Sequence, residues 1–158
     1  MSAVATDFDI IRMTEHDLLE VVEIEEQSGL SRWGWAAYYA ELQSTNRDLM
    51  LIARVKSTQS HMAIAGYIVA RETAGELHVN NVAVRAEFQR KHIGSALLER
   101  VLEKARELGA TNGFLEVRSS NLAAQAMYEK CGFKAIASRQ NYYSEPREDA
   151  IVMGLVLQ

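Results

Sequence analysis

Cysteine is almost missing from this chain. Cys131 stands alone, so no intramolecular disulfide can form. A lone thiol fits a reducing compartment, and a cytoplasmic location is the expectation. Long apolar runs are missing too: none approaches the ~20 residues that a membrane span requires. The first ten residues, MSAVATDFDI, carry neither a basic region nor an apolar core, so no signal peptide is expected there. Positive charge is not in excess, since 17 Lys and Arg face 21 Asp and Glu for a formal charge of −4. That balance argues against direct nucleic-acid binding, which needs a basic face to neutralise phosphates, and is compatible with basic peptides or amines as ligands. Proline occurs once, at Pro146, and no repeat, low-complexity tract or linker interrupts the chain. What remains is 158 residues, 48% hydrophobic and 24% charged. That composition suits a single globular domain over 1–158 with an ordinary core.

Strand and helix signals alternate. Asp7–Met13 reads as a strand, and Thr14 as an N-cap whose hydroxyl meets an early free N–H. The next stretch places Leu18, Val21, Val22 and Glu25 at helical spacing, and Gly29 closes it. An aromatic helix is expected over Trp33–Gln43. Three strands follow at Leu49–Val55, Met62–Arg71 and Leu77–Val84, with a hairpin turn at Thr73-Ala74-Gly75. Ile93–Leu108 is the clearest helix. Ile93, Leu97, Val101, Ala105 and Leu108 share one stripe, and Gly109 sits at its C′ position. Phe114–Val117 reads as a short strand, Asn121–Lys130 as a helix capped by Asn121 and closed by Gly132, and Phe133–Ser138 and Ala150–Leu157 as the last strands. The order βααβββαβαββ implies a mixed α/β sheet flanked by helices.

The junction between the third of the middle strands and the long helix carries the first chemical signal. Free N–H groups of a helix start, together with its dipole, converge on one point that suits a phosphate or pyrophosphate. Gly94 permits close approach, Ser95 adds a hydroxyl, and Arg90 and Lys91 add charge. The same residues also suit a loop whose basic side chains are simply solvated.

The segment QRKHIG (Gln89–Gly94) resembles the coenzyme A pyrophosphate loop of the GNAT acetyltransferases, with His92 in place of that pattern's first glycine. A positive φ at His92 would cost of order 1 kcal/mol and weaken cofactor binding, whereas a negative φ would let the imidazole donate to phosphate. LEVRSSN (Leu115–Asn121), AMYEKCGF (Ala126–Phe133) and NYYSEPREDAIVM (Asn141–Met153) are similar, in order and spacing, to the RimI-type ribosomal-protein alanine N-acetyltransferases. The resemblance runs from Leu77 to Leu157. It implies the GNAT acyl-CoA N-acyltransferase fold, a mostly antiparallel sheet of about seven strands with four helices. It also implies acetyl-CoA as cosubstrate, bound by Val82, Ala83, Val84, Arg90, Lys91, His92, Ile93, Gly94, Ser95 and Asn121. The implied acceptor is a protein N-terminus, above all the N-terminal alanine of small-subunit ribosomal protein eighteen. A lysine or small-amine acetyltransferase and a catalytically weak acyl-CoA-binding module are the other readings.

Individual residues can be given roles. An α-amine, with a pKa near ~8 against ~10.4 for lysine, needs only mild deprotonation. Glu116 is the candidate base, since alternation puts it on a face with Phe114 and Arg118. A pair with Arg118, or simple exposure, is its ordinary explanation. Tyr128 is the candidate acid by resemblance, and a core residue by composition. His78 and Glu76 are rival bases, and His78 also reads as a surface strand residue. Trp33, Tyr142 and Tyr143 are candidate acceptor contacts, although Trp33, Trp35, Tyr38 and Tyr39 at helical spacing equally suit a core. Asn121 fits both an N-cap and a cofactor contact. Cys131, at a helix C-terminus, reads as structural, which favours direct attack in a ternary complex. His16, His61 and His78 show no metal-ligand spacing, and no metal is expected.

Overall fold

The computed structural model describes residues 7–29, 33–44, 46–55 and 64–157. Its elements are β1 (Phe8–Arg12), α1 (Leu18–Gln27), α2 (Gly34–Ser44), β2 (Met50–Val55), β3 (Ile64–Thr73), β4 (Glu76–Val84), α3 (Ile93–Glu107), β5 (Asn112–Arg118), α4 (Leu122–Lys130), β6 (Lys134–Ser144) and β7 (Arg147–Val156). The expected order of elements is the observed one. Residues Met62 and His61, the former the expected start of β3, lie outside the described residues.

The seven strands form one sheet in the order β1-β2-β3-β4-β5-β7-β6. Every neighbouring pair is antiparallel except β4 and β5. A parallel pair needs a crossover, and α3 supplies it. One face of the sheet receives Ile93, Leu97, Leu98, Val101, Leu102 and Ala105 of α3, with Tyr128 and Phe133 beside them. The other face receives Leu18, Val21 and Ile24 of α1 and Tyr38 and Leu42 of α2. Both stripes follow the helical period, so the apolar spacing in the sequence dictates which side of each helix is covered. Gly29, Gly109 and Gly132 end α1, α3 and α4 with φ of 68°, 88° and 105°, the left-handed conformation that a side chain resists.

Local chemistry departs from expectation in a few places. Thr14 does cap the first turn, but its hydroxyl donates to the Asp17 carboxylate (3.1 Å), which also accepts the Thr14 N–H (2.8 Å). Thr14 and Asp17 thus form a reciprocal capping box at this helix start. The expected strand at Phe133–Ser138 continues to Ser144, because a wide irregularity between Arg139 and Tyr143 lets β6 rejoin β7 at Tyr143↔Glu148. The aromatic helix is divided: Tyr38 is core, whereas Trp35 and Tyr39 stack on each other at the exposed surface, ring centroids 4.9 Å apart.

A bulge in β4 matters most. Val79 pairs with Ala70 and Asn81 with Val69, so Asn80 is an extra residue without a partner. One inserted residue transfers every following side chain to the opposite face. Leu77 and Val79 accordingly point to the α3 core, while Asn81 and Ala83 point to the α1–α2 side.

Candidate active site

Beyond the bulge the sheet opens. The β4–β5 ladder ends at Val79↔Leu115. From there β4 continues against β3 to Val84, and β5 continues against β7 to Arg118. The two strands part, and their facing edges carry amides with no strand between them. A cleft of about 370 Å³ occupies the opening. Its walls include His78 and Val82 of β4, Glu116 and Arg118 of β5, Asn121 and Tyr128 at α4, and Trp33, Tyr142 and Tyr143 above. Seven expected site residues (Val82, Glu116, Tyr128, Asn121, Trp33, Tyr142 and Tyr143) therefore meet at one place.

Glu116 lies on the expected face of β5, where residues 112, 114, 116 and 118 alternate with the buried 113, 115 and 117. Its partner is His78, not Arg118: Nε2 of the imidazole lies 2.7 Å from Glu116 Oε2. The candidate base Glu116 and its rival His78 thus form one dyad, with the glutamate side chain 15% exposed and the histidine 49%. Glu76 is exposed at the start of β4, and it is not part of the cleft lining. Tyr128 is buried at the cleft floor with its ring edge-on to Phe133 at 6.1 Å. Burial, with the Tyr143 phenol nearby, pushes its own phenol well above the ordinary tyrosine range, so it holds its proton. Asn121 caps α4 by accepting the Ala124 N–H at 3.1 Å, and it also faces the cleft.

The β4–α3 loop lies further along β4. Val82 lines the cleft, while Ala83 and Val84 continue the strand past it. Gln89 folds back to donate to the Val84 carbonyl at 3.2 Å. Arg90 and His92 both take positive φ, 64° and 62°. The left-handed alternative therefore holds at His92, the conformation in which a Cβ costs of order 1 kcal/mol of backbone strain. Ile93, Gly94 and Ser95 open α3, so their N–H groups have no intrahelical acceptor. Two assigned features have local explanations. A Cβ on Gly94 would come within 2.9 Å of the Met127 sulfur, so this glycine lets α3 pack on α4. The Ser95 hydroxyl donates to the His92 carbonyl at 3.1 Å. The exposed Arg90, Lys91 and His92 and the free first turn form an electropositive mouth able to hold a diphosphate.

Cys131 is half-buried. Burial, then the Glu99 charge, pushes its thiol up, so it is a poor nucleophile at neutral pH. Among the described residues, no group of three or more His, Cys, Asp or Glu converges as a metal site, and no helix is long and apolar enough to cross a membrane. A larger open depression of about 680 Å³ lies between β1 and α3, but Arg12 and Lys104 there are both paired with Asp48, far from the dyad in the fold.

Sequence reasoning missed a second layer of the site. Glu25, fully buried, accepts from the Trp33 N–H (3.1 Å) and the Gly34 N–H (3.2 Å), and from the Tyr38 hydroxyl. Tyr38 in turn meets Tyr67 at 2.9 Å, and Asn81 donates to it at 2.8 Å. This network anchors the segment that carries Trp33. The one available signal was a glutamate on the apolar stripe of α1. The bulge that delivers Asn81 left none.

The model of the acetyltransferase (GNAT) family matches residues 18–133. The [ribosomal protein bS18]-alanine N-acetyltransferase of Escherichia coli K12 is 39% identical over 94 residues, which cover 58% of this chain and 64% of that enzyme, less than two thirds of its length. The Salmonella typhimurium protein of the same name is 31% identical over 88% of this chain and 90% of its own. The crystal structure of the Escherichia coli ribosomal-protein-S18-alanine N-acetyltransferase superposes with a TM-score of 0.79 over 96% of this chain and 95% of that one, at 28% identity. The likeness in fold thus extends well past the stretch where the Escherichia coli sequence aligns.

Proposed function

This chain belongs to the acetyltransferase (GNAT) family, in its RimI-type branch, and from that premise we propose that it transfers acetyl from acetyl-CoA to the N-terminal α-amine of a protein. The favoured acceptor is the N-terminal alanine of ribosomal protein bS18, the substrate named for its relatives. The observation that carries the reading is the His78–Glu116 dyad at the point where β4 and β5 part, sharing one cleft with the Tyr128 phenol.

Acetyl-CoA supplies the thioester. The residues present suit it: the free first turn of α3 with Arg90, Lys91 and His92 would hold the diphosphate, and the outward amides of Val82–Val84 the pantetheine and the acyl carbonyl. Asn121 would contact it from the start of α4. Glu116 takes the ammonium proton of the acceptor, directly or through one water. With the proton on His78 Nε2, the imidazole donates to Glu116 Oε2 and leaves Oε1 free for that task. Tyr128, like any phenol, is protonated at neutral pH, and so has a proton to give to the departing thiolate. The neutral Cys131 thiol supports direct attack in a ternary complex over an acetyl-cysteine intermediate. Trp33, Tyr142 and Tyr143 wall the acceptor side with apolar rings, suited to a peptide backbone entering by its end.

Peptides of one sequence with free or blocked N-termini test the acceptor, each carrying a lysine. Acetylation of the free α-amine alone is expected, and acetylation of the blocked peptide's lysine alone would overturn the assignment. Glu116→Gln should lower kcat/KM by roughly 10²-fold or more near neutral pH. Full activity across pH would remove Glu116 from the mechanism. Tight CoA binding with no transfer to any peptide pool would favour the acyl-CoA-binding module instead.

A further inference from the structure

Two sequence segments singled out by resemblance, LEVRSSN and NYYSEPREDA, meet in space through one side chain. Arg118 of β5 donates from Nη1 to the Pro146 carbonyl (3.0 Å) and to Glu148 Oε2 (3.3 Å), and from Nη2 to the Glu145 carbonyl (3.3 Å). Its guanidinium carbon also sits 4.2 Å from the centre of the Tyr143 ring. Glu148 completes the joint by accepting from the Ser120 N–H (2.6 Å) and the Ser119 hydroxyl (3.2 Å), in the loop that leads to Asn121. We propose that Arg118 is a positioning residue for the acceptor: by clamping the tip of the β6–β7 hairpin it sets the place of Tyr142 and Tyr143 over Glu116.

The tip needs such a clamp because its own ladder is weak. After Arg139↔Ala150 the register breaks, and only Tyr143↔Glu148 and Ser144↔Arg147 pair beyond it. Within the break Asn141 is left-handed, with φ of 54°, and its N–H is taken by the Asp149 side chain at 2.8 Å. The tip is therefore joined to the sheet by two pairs, yet it carries both tyrosines of the cleft. Arg118 stands two residues from Glu116 on the same face of β5, so the clamp is referenced to the strand that holds the base. Its planar fork reaches two successive carbonyls and a carboxylate while lying against a ring, which a lysine ammonium cannot do.

This inference rests on the acceptor reading above, and steady-state kinetics on the full chain separates the two. Arg118→Ala and Arg118→Lys are compared with wild type, varying an alanine-start peptide and acetyl-CoA in turn, with CoA affinity read by calorimetry. The expected result is an acceptor KM raised about tenfold in R118A and about fivefold in R118K, with kcat within about threefold and CoA affinity within about twofold of wild type. An unchanged acceptor KM overturns the clamp. So does a loss spread evenly over acceptor KM, kcat and CoA affinity, which would mark Arg118 as merely structural. R118K equal to wild type overturns the fork. If R118A does not fold, R118K and Glu148→Gln carry the same comparison. Should wild type acetylate only the lysine of a blocked peptide, the acceptor reading falls, and the same KM comparison on that amine judges the clamp alone.

Discussion

Replacing His92 by glycine and, separately, by alanine isolates the backbone at the mouth of the site. Both changes remove the imidazole, so their difference reports the left-handed φ of 62° and little else. A Cβ in that region costs about 1–2 kcal/mol, and glycine spares it. Glycine gives back about 0.4–1 kcal/mol through the larger freedom of its unfolded chain. The glycine variant should thus be the more stable of the two by about 0.5–1 kcal/mol. For a domain of this size that is a difference of roughly 1–4 °C in Tm, or a few tenths of a molar in urea midpoint. Paired thermal and urea unfolding curves measure it. CoA affinity should differ between the two variants by less than about threefold, because the strain is already present without ligand. An alanine variant as stable as the glycine one would refute a left-handed residue 92. A glycine variant binding CoA more than about tenfold tighter would show the Cβ obstructing the diphosphate instead.

Three other changes probe the interior. Glu25→Gln keeps the shape but places an amide where a carboxylate oxygen accepts, opposing N–H to N–H; a destabilisation of about 1–3 kcal/mol is expected in urea, and wild-type stability would show the network to be dispensable. Tyr128→Phe should depress kcat at least about tenfold with little change in KM, and since burial raises this phenol's pKa, wild-type kcat should show no fall up to about pH 10 that the variant lacks. A raised pKa at Cys131 means a protonated thiol at neutral pH. Its alkylation should therefore be slower than that of free cysteine and quicken only as pH climbs past the usual thiol range, and Cys131→Ser should retain kcat/KM within about twofold. A tenfold loss there would restore the acetyl-cysteine route.

Periodicity made the helices and the side of each that is covered legible in advance, since Leu97, Val101 and Ala105, or Leu18 and Val21, recur at the helical spacing. Alternation likewise placed Glu116 on the right face of β5. What stayed hidden was pairing between distant segments. His78 and Glu116 read as competitors because nothing local says that β4 and β5 are neighbours in parallel. Asn81 reads as an ordinary alternating strand residue until the unpaired Asn80 shifts its face. Arg118 and Glu148 belong to motifs whose contact depends on β7 returning beside β5. Glu25 was noticed on an apolar stripe, but its partners are Trp33 and residues of α2 and β4.

The seam between β4 and β5 is only four pairs long, from Glu76↔Asn112 to Val79↔Leu115. Past it the molecule is two banks facing a channel, each bearing its own aromatic ledge: Trp33 on one, Tyr142 and Tyr143 on the other. Peptide groups lie exposed along the strand edges of that channel, and an exchange of one side chain for another leaves them in place. Ledges made of side chains have no such protection. Side-chain exchange can thus reshape one bank of the channel at a time, while the exposed strand edge persists through the change.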